Sequence, residues 1–203
     1  MAKRNIKKKT KKDSLSNCVG FSQAYWELFS NYFSSEEAKK ISKILNDRTT
    51  PMKPNAGSYR QINSWDQYGL IEVGREGSEW RKYSIMDSVW LNIIAELRAF
   101  AFSIDKIKIT KETLEEESST RSPMPLLEFC TFRALMEKEH TFLLVFADGS
   151  AIPLSFNEYN LNIISGELKN HIRVDVSEII SRLFANNKEM KPVYDTVILS
   201  PKQ

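Results

Sequence analysis

Side chains suited to holding a polyanion crowd into residues 58–84, "SYRQINSWDQYGLIEVGREGSEWRKYS". Arg60, Arg75, Arg81 and Lys82 can each donate to phosphate oxygens, and every phosphate neutralised releases condensed counterions. Gln61, Asn63, Ser64 and Gln67 are polar and point several ways around one short stretch. Asn and Gln amides pair bidentately with adenine; arginine pairs with guanine or a phosphate. Aromatics surround the polar loop 72–79: Trp65 and Tyr68 before it, Trp80 and Tyr83 after it. Ile62, Trp65 and Tyr68 are expected to face a core. Trp80 and Tyr83 are expected to clamp the second group of cations against the body or to flank a phosphate with their polar edges.

These side chains need two elements to position them. Ser58 can cap a helix running to about Gln67, with Gly69 ending it. Residues 70–73 read as a strand, 74–79 as a glycine turn and 80–85 as the returning strand. A short helix followed by a hairpin is the plan of a winged helix: the helix enters the DNA major groove and the hairpin braces the backbone. Asp87 is the expected cap of the next helix, whose Val89, Trp90, Ile93, Ile94, Leu97 and Phe100 recur at helical spacing. Another helix follows Ser103. Upstream, Tyr25, Trp26, Leu28, Phe29, Tyr32 and Phe33 recur at spacings of three and four. A second helix opens after Ser34 or Ser35 with Ala38, Ile41, Ile44 and Leu45 as its stripe, and it stops before Pro51, Pro54 and Gly57.

Downstream, "EEESSTRSPMP" (115–125) reads as a linker. Residues 126–140 then read as a helix, and 141–156 as a β-hairpin turning at Asp148-Gly149. Residues 161–170 form a short helix or a loop. A strand and a helix capped by Asp175 or Ser177 follow, and 192–200 read as a last strand. The expected fold class is α+β: a mostly helical N-terminal winged helix-turn-helix, then a small α+β domain. The expected units are a disordered basic tail (1–17), the DNA-binding domain with its N-terminal helices (18–114), the linker (115–125) and a domain for dimerisation or sensing (126–203).

The chain has 203 residues, 41% hydrophobic and 27% charged, with a net charge of +3. That composition is globular. Residues 1–12 carry seven cations, including Lys7, Lys8, Lys9, Lys11 and Lys12, and no acid. The remainder is therefore 3 − 7 = −4. A basic arm on an acidic body suits nonspecific contact with a polyanion. Residues 57–83 themselves balance four cations against Asp66, Glu72, Glu76 and Glu79. No apolar run is long enough for a membrane span, and no secretory signal follows the tail. Cys18 and Cys130 give no disulfide framework or metal spacing, so the expected compartment is the cytoplasm, at the nucleoid. His140 and His171 stand in no catalytic or metal-binding pattern. No phosphate-cradling glycine loop is present. No enzyme activity, cofactor or metal is expected, and Cys130 reads as a small buried residue.

"RQINSWDQYGLI", "WRKYS" and "WLNIIAELRAFAFSIDKIK" together resemble the DNA-binding head of the MerR family of transcriptional regulators. Arg60, Ile62, Trp65, Asp66, Gly69, Leu70 and Ile71 stand where that family has Arg–Leu–aromatic–acid–Gly–Leu–Leu. Arg81 and Tyr83 match its Arg-x-Tyr; Leu97-Arg98, Phe102-Ser103 and Ile107 match its Leu-Arg…Gly-Phe-Ser…Ile. The resemblance covers about residues 58–110. It implies a transcriptional regulator that binds double-stranded DNA as a homodimer, with Arg60 and Arg81 on phosphates and an effector that the sequence does not name. The chain departs from the family at Asn63 and Ser64, where a second arginine and a tyrosine are usual, and at Ala101, where glycine is common. The family's long dimerisation helix is interrupted by Pro123 and Pro125. Two other readings stay open: an excisionase-like architectural protein, and a winged protein-interaction module that no longer binds DNA.

Overall fold

The computed structural model describes residues 23–49, 53–72, 81–115 and 122–187. The N-terminal part is helical: α1 (Gln23–Ser34), α2 (Glu36–Asn46), α3 (Tyr59–Gln67), α4 (Ile85–Ala99) and α5 (Ile104–Leu114). A small α+β part follows: α6 (Pro125–Met136), β1 (Thr141–Phe146), β2 (Ala151–Ser155), α7 (Phe156–Ile164), β3 (His171–Asp175) and α8 (Val176–Asn186). The expected α+β class is what the chain adopts. The expected strand at 192–200, the glycine turn 74–79, Arg75, Trp80 and the tail lysines Lys7, Lys8, Lys9, Lys11 and Lys12 lie outside the described residues.

Helix boundaries follow from capping. Ser35 accepts from Ala38 N–H and starts α2; Ser103 accepts from Lys106 N–H and starts α5. Helix α4 begins at Ile85, three residues ahead of the start expected after an Asp87 cap. Ser84 is the N-cap, and Asp87 sits at the third position and reaches back to the Ser84 N–H, a reciprocal capping box. Ile85, read as strand, is thus the first residue of a helix, and Tyr83 is an isolated bridge residue. Pro125 occupies the first position of α6, where its missing N–H costs nothing. Ser122 and Met124 are buried, so the end of the expected linker is packed. Helix α6 stops at Met136, short of the expected 140, and α7 starts at Phe156, ahead of the expected 161.

β1 is central, pairing antiparallel with β2 (Leu143 opposite Pro153) and with β3 (Leu143 opposite Val174). Both faces of this sheet are covered by the chain's own helices. Leu143, Val145 and Val174 join the main core with α6 and α8, while Phe142, Leu144, Phe146, Ile152 and Leu154 form a second cluster with Tyr159 and Leu168. The main cluster holds residues from both sides of segment 115–125. Tyr25, Phe29 and Tyr32 of α1 pack their rings on Phe129 of α6, and Tyr32 lies 4.3 Å from the Phe132 ring centroid. Glu128 of α6 is fully buried and accepts from Tyr32 hydroxyl (3.0 Å) and from Asn46 Nδ2 (2.9 Å), which fixes α1 and α2 to α6. Burial and the neighbouring carboxylate push the Tyr32 phenol far above its ordinary pKa, so it stays a donor. Thr110 of α5 donates to the Gly149 carbonyl at 2.8 Å, seating the hairpin turn on α5; a Cβ at Gly149 would stand 2.7 Å from the Lys106 carbonyl oxygen.

Helix α4 ends in a Schellman motif. Ala101 N–H donates to the Arg98 carbonyl and Phe102 N–H to the Leu97 carbonyl. The motif forces Ala101 to φ 58°, a left-handed conformation that costs an L-residue roughly 1–2 kcal/mol. Its side chain is exposed and packs nothing away. Ala101→Gly relieves that strain and gives back part of the gain as unfolded-chain entropy. The expected result is a stabilisation of about 0.5–1 kcal/mol, read as a higher urea midpoint with an unchanged slope.

Candidate nucleic-acid interface

Helix α3 has a buried side and an outward side. Ile62 and Trp65 are buried, as their spacing requires. Opposite them, Arg60 and Gln67 are exposed, with Asn63 and Ser64 half-buried between them. Positions 60, 63, 64 and 67 share one helical face. Three of the four candidate residues on this helix, Arg60, Asn63 and Ser64, are therefore brought together. The fourth is used elsewhere: Gln61 Oε1 accepts from Ser58 N–H (2.8 Å) and Ser58 hydroxyl (2.9 Å), closing a capping box. The S-x-x-Q spacing carried that signal. Tyr68 is a correction to the core list, since it is 52% exposed; Tyr59 at the first helical position is 56% exposed. Both aromatics border the polar face, and Gln67, read as polar with the others, is exposed on it.

Two ends fix the helix. At its C-terminus Gly69 takes φ 73°, and the bonds from Gly69 N–H to the Asp66 carbonyl and from Leu70 N–H to the Trp65 carbonyl complete a second Schellman motif. Trp90 Nε1 of α4 then donates to the Leu70 carbonyl at 2.8 Å, tying the chain that leaves α3 to the core. Read as a strand from Leu70, this chain forms none over residues 70–72. At its N-terminus, the chain at 53–54 is held from behind. Asn187, at the end of α8, accepts from Lys53 N–H (2.8 Å) and donates to the Lys53 carbonyl (3.1 Å), and Asn92 donates to the Pro54 carbonyl (2.6 Å). The C-terminal part thus sets where α3 begins.

Arg81 and Tyr83 are not presented outward. The Arg81 side chain is 5% exposed and donates from Nη2 to Asp66 at 2.5 Å, linking the chain after segment 73–80 to the end of α3. Its Nε and Nη1 are buried without a hydrogen-bond partner. Tyr83 is buried; burial raises its phenol pKa and the adjacent Arg81 guanidinium pulls it the other way. Lys82, between them, is exposed. The eight candidate residues on and after α3 therefore fall into distinct sets. Arg60, Asn63, Ser64 and Lys82 reach the surface, Gln61 holds the cap, Arg81 and Tyr83 are internal, and Arg75 lies outside the described residues.

Among the described residues no group of three or more His, Cys, Asp or Glu could hold a metal ion, and no helix is long and apolar enough to cross a membrane. His140 is exposed and 2.8 Å from Asp175. Cys130 is buried, and burial pushes its thiol up to about 12, so it is no nucleophile at neutral pH.

The pair Asp66–Arg81 is asymmetric: the carboxylate side chain is 36% exposed and the guanidinium 5%. Asp66→Ala strands a buried cation and is expected to cost about 3 kcal/mol. Arg81→Met leaves only a hydrated carboxylate and is expected to cost about 1 kcal/mol. Urea unfolding of both variants checks the order; a costlier Arg81→Met contradicts it.

Residues 54–113 match the family described as MerR HTH family regulatory protein. The match opens at Pro54, held by Asn92, takes in α3, α4 and nearly all of α5, and covers less than a third of the chain. It leaves out α2, the helix that precedes α3 across the loop from Asp47 to Ser58. No curated protein and no solved structure matches the chain.

Proposed function

From the MerR-type segment at 54–113 we propose that the protein is a sequence-preferring, double-stranded-DNA-binding transcriptional regulator. The observation that carries the reading is the outward face of α3. Arg60, Asn63, Ser64 and Gln67 stand on one side of a helix whose other side is anchored by Ile62 and Trp65. Such a face laid in the major groove offers an amide for adenine and a guanidinium for guanine or a phosphate. Segment 73–80 serves as the wing, with Arg75 and Lys82 on the DNA backbone. The tail lysines Lys7, Lys8, Lys9, Lys11 and Lys12 add a salt-sensitive, sequence-independent anchor.

Arg81 takes a different part in this reading. It is a positioning residue, holding Asp66 so that the chain from residue 81 and the end of α3 keep one relative placement, with Tyr83 close by. The protein works in the cytoplasm, on the nucleoid, and without chemistry of its own. It acts as a homodimer, and α7 supports that part. Leu161, Ile163 and Ile164 are 50–82% exposed there, and the helix's acid, Glu158, is turned inward to Arg133 and the Ser155 cap.

The excisionase-like reading shares the same DNA face and differs in the arrangement of sites, which would be adjacent direct repeats. The protein-docking reading draws on the balanced charge of residues 57–83. Arg60→Ala separates binding from docking. It removes an exposed side chain, so folding is unaffected, and it is expected to weaken duplex binding by about 1–3 kcal/mol. Fluorescence anisotropy with a labelled promoter duplex measures this. Unchanged affinity for every duplex tried contradicts a DNA role for the α3 face.

A further inference from the structure

A cavity of about 1070 Å³ opens between α2, the start of α4, the end of α5 and the chain leaving α3. That volume lies just above the usual range of sites for small organic ligands. It lies away from the outward face of α3. One wall is a single face of α2: Lys39, Lys43 and Asn46 recur at helical spacing, with Lys40 beside them. Trp90, Ile71 and Met124 close the floor, and the partly exposed Phe33 and Pro123 supply apolar surface at the sides.

The charges lining the cavity do not cancel in place. Every acid there already has a cation. Asp87 binds Arg48 through both oxygens (2.7 and 2.9 Å), Glu72 binds Lys111 (2.7 Å), Glu115 stands 3.5 Å from the same lysine, and Glu36 pairs with Lys39. Lys40 and Lys43 form no ion pair among the described residues. The lining holds five cations (Lys39, Lys40, Lys43, Arg48 and Lys111) against four acids, with the Asp47 carboxylate just outside it acting on Lys43. One positive charge is therefore in excess, and it falls on the α2 wall, facing aromatic and aliphatic edges.

We infer that this cavity binds a small amphiphilic organic anion, its carboxylate, sulfonate or phosphate on Lys40 and Lys43 and its apolar body over Trp90, Ile71 and Met124. The site is independent of the duplex reading. Its walls include Leu70, Ile71 and Glu72 before 73–80 and Ser84, Met86 and Asp87 after it, so an occupant touches the segments that lead into and out of the proposed wing.

The test uses the full chain and two dyes of similar body, anilinonaphthalene sulfonate and the neutral phenylnaphthylamine. The expected result is saturable one-to-one binding of the sulfonate, with energy transfer from tryptophan, at least tenfold tighter than that of the neutral dye. Lys40→Glu with Lys43→Glu is expected to weaken the sulfonate tenfold or more and leave the neutral dye unchanged. Leu161→Ser with Ile164→Ser, on the exposed α7 surface, is expected to leave both dyes unchanged. Equal affinity for the two dyes, an unaffected lysine variant, or loss of sulfonate binding in the α7 variant each overturns the assignment.

Discussion

Burial of α4 is the constraint on which the rest depends. Nine of its fifteen residues are buried, and it packs against α2, α8 and β3. A helix with so much apolar surface cannot stand alone in water. The other elements are arranged to cover it, and two of its side chains then reach out to hold the candidate interface. Trp90 binds the Leu70 carbonyl just after α3, and Asn92 binds the Pro54 carbonyl just before it. Placement of α3 is in this sense a by-product of core formation.

The same constraint joins the two parts of the chain. Helix α8 covers α4 and ends at Asn187, whose amide clamps Lys53. Helix α6 buries Glu128 beneath Tyr32 and Asn46. A buried carboxylate needs every hydrogen bond it can collect, so α1 and α2 are pinned wherever α6 goes. The α+β part thereby touches, through packed side chains, both the loop in front of α3 and the α2 wall of the cavity.

Local chemistry was legible from sequence where a few neighbouring residues decide it. Ser58 and Gly69 bound α3 as read, because an N-cap hydroxyl and a left-handed glycine act within one turn. Asp148-Gly149 gave the hairpin turn and Asp175 the cap of α8 for the same reason. Ser84 was missed as a cap although Ser84-x-x-Asp87 is a capping-box spacing. What sequence could not show are pairs set by tertiary packing. Asp66 and Arg81 are 15 positions apart, Lys53 and Asn187 are 134 apart, and Glu128 looked like any helix acid. Tyr68 misled because an aromatic beside Trp65 reads as core, whereas the Gly69 turn leaves it outside. At the candidate interface, legibility stopped at residue type. Spacing brought Arg60, Asn63 and Ser64 to one face, but only the fold shows that Gln61 is occupied and Arg81 faces inward.

The central claim is that the folded head, and not the basic tail alone, reads a DNA sequence. Selection of bound duplexes from a random library, using protein lacking residues 1–12, tests it most directly. The account predicts an enriched motif, and a two-fold symmetric one if the protein binds as a dimer. No enrichment, with the full chain still holding every duplex and releasing all of them at moderate salt, would contradict it and leave α3 without a nucleic-acid role.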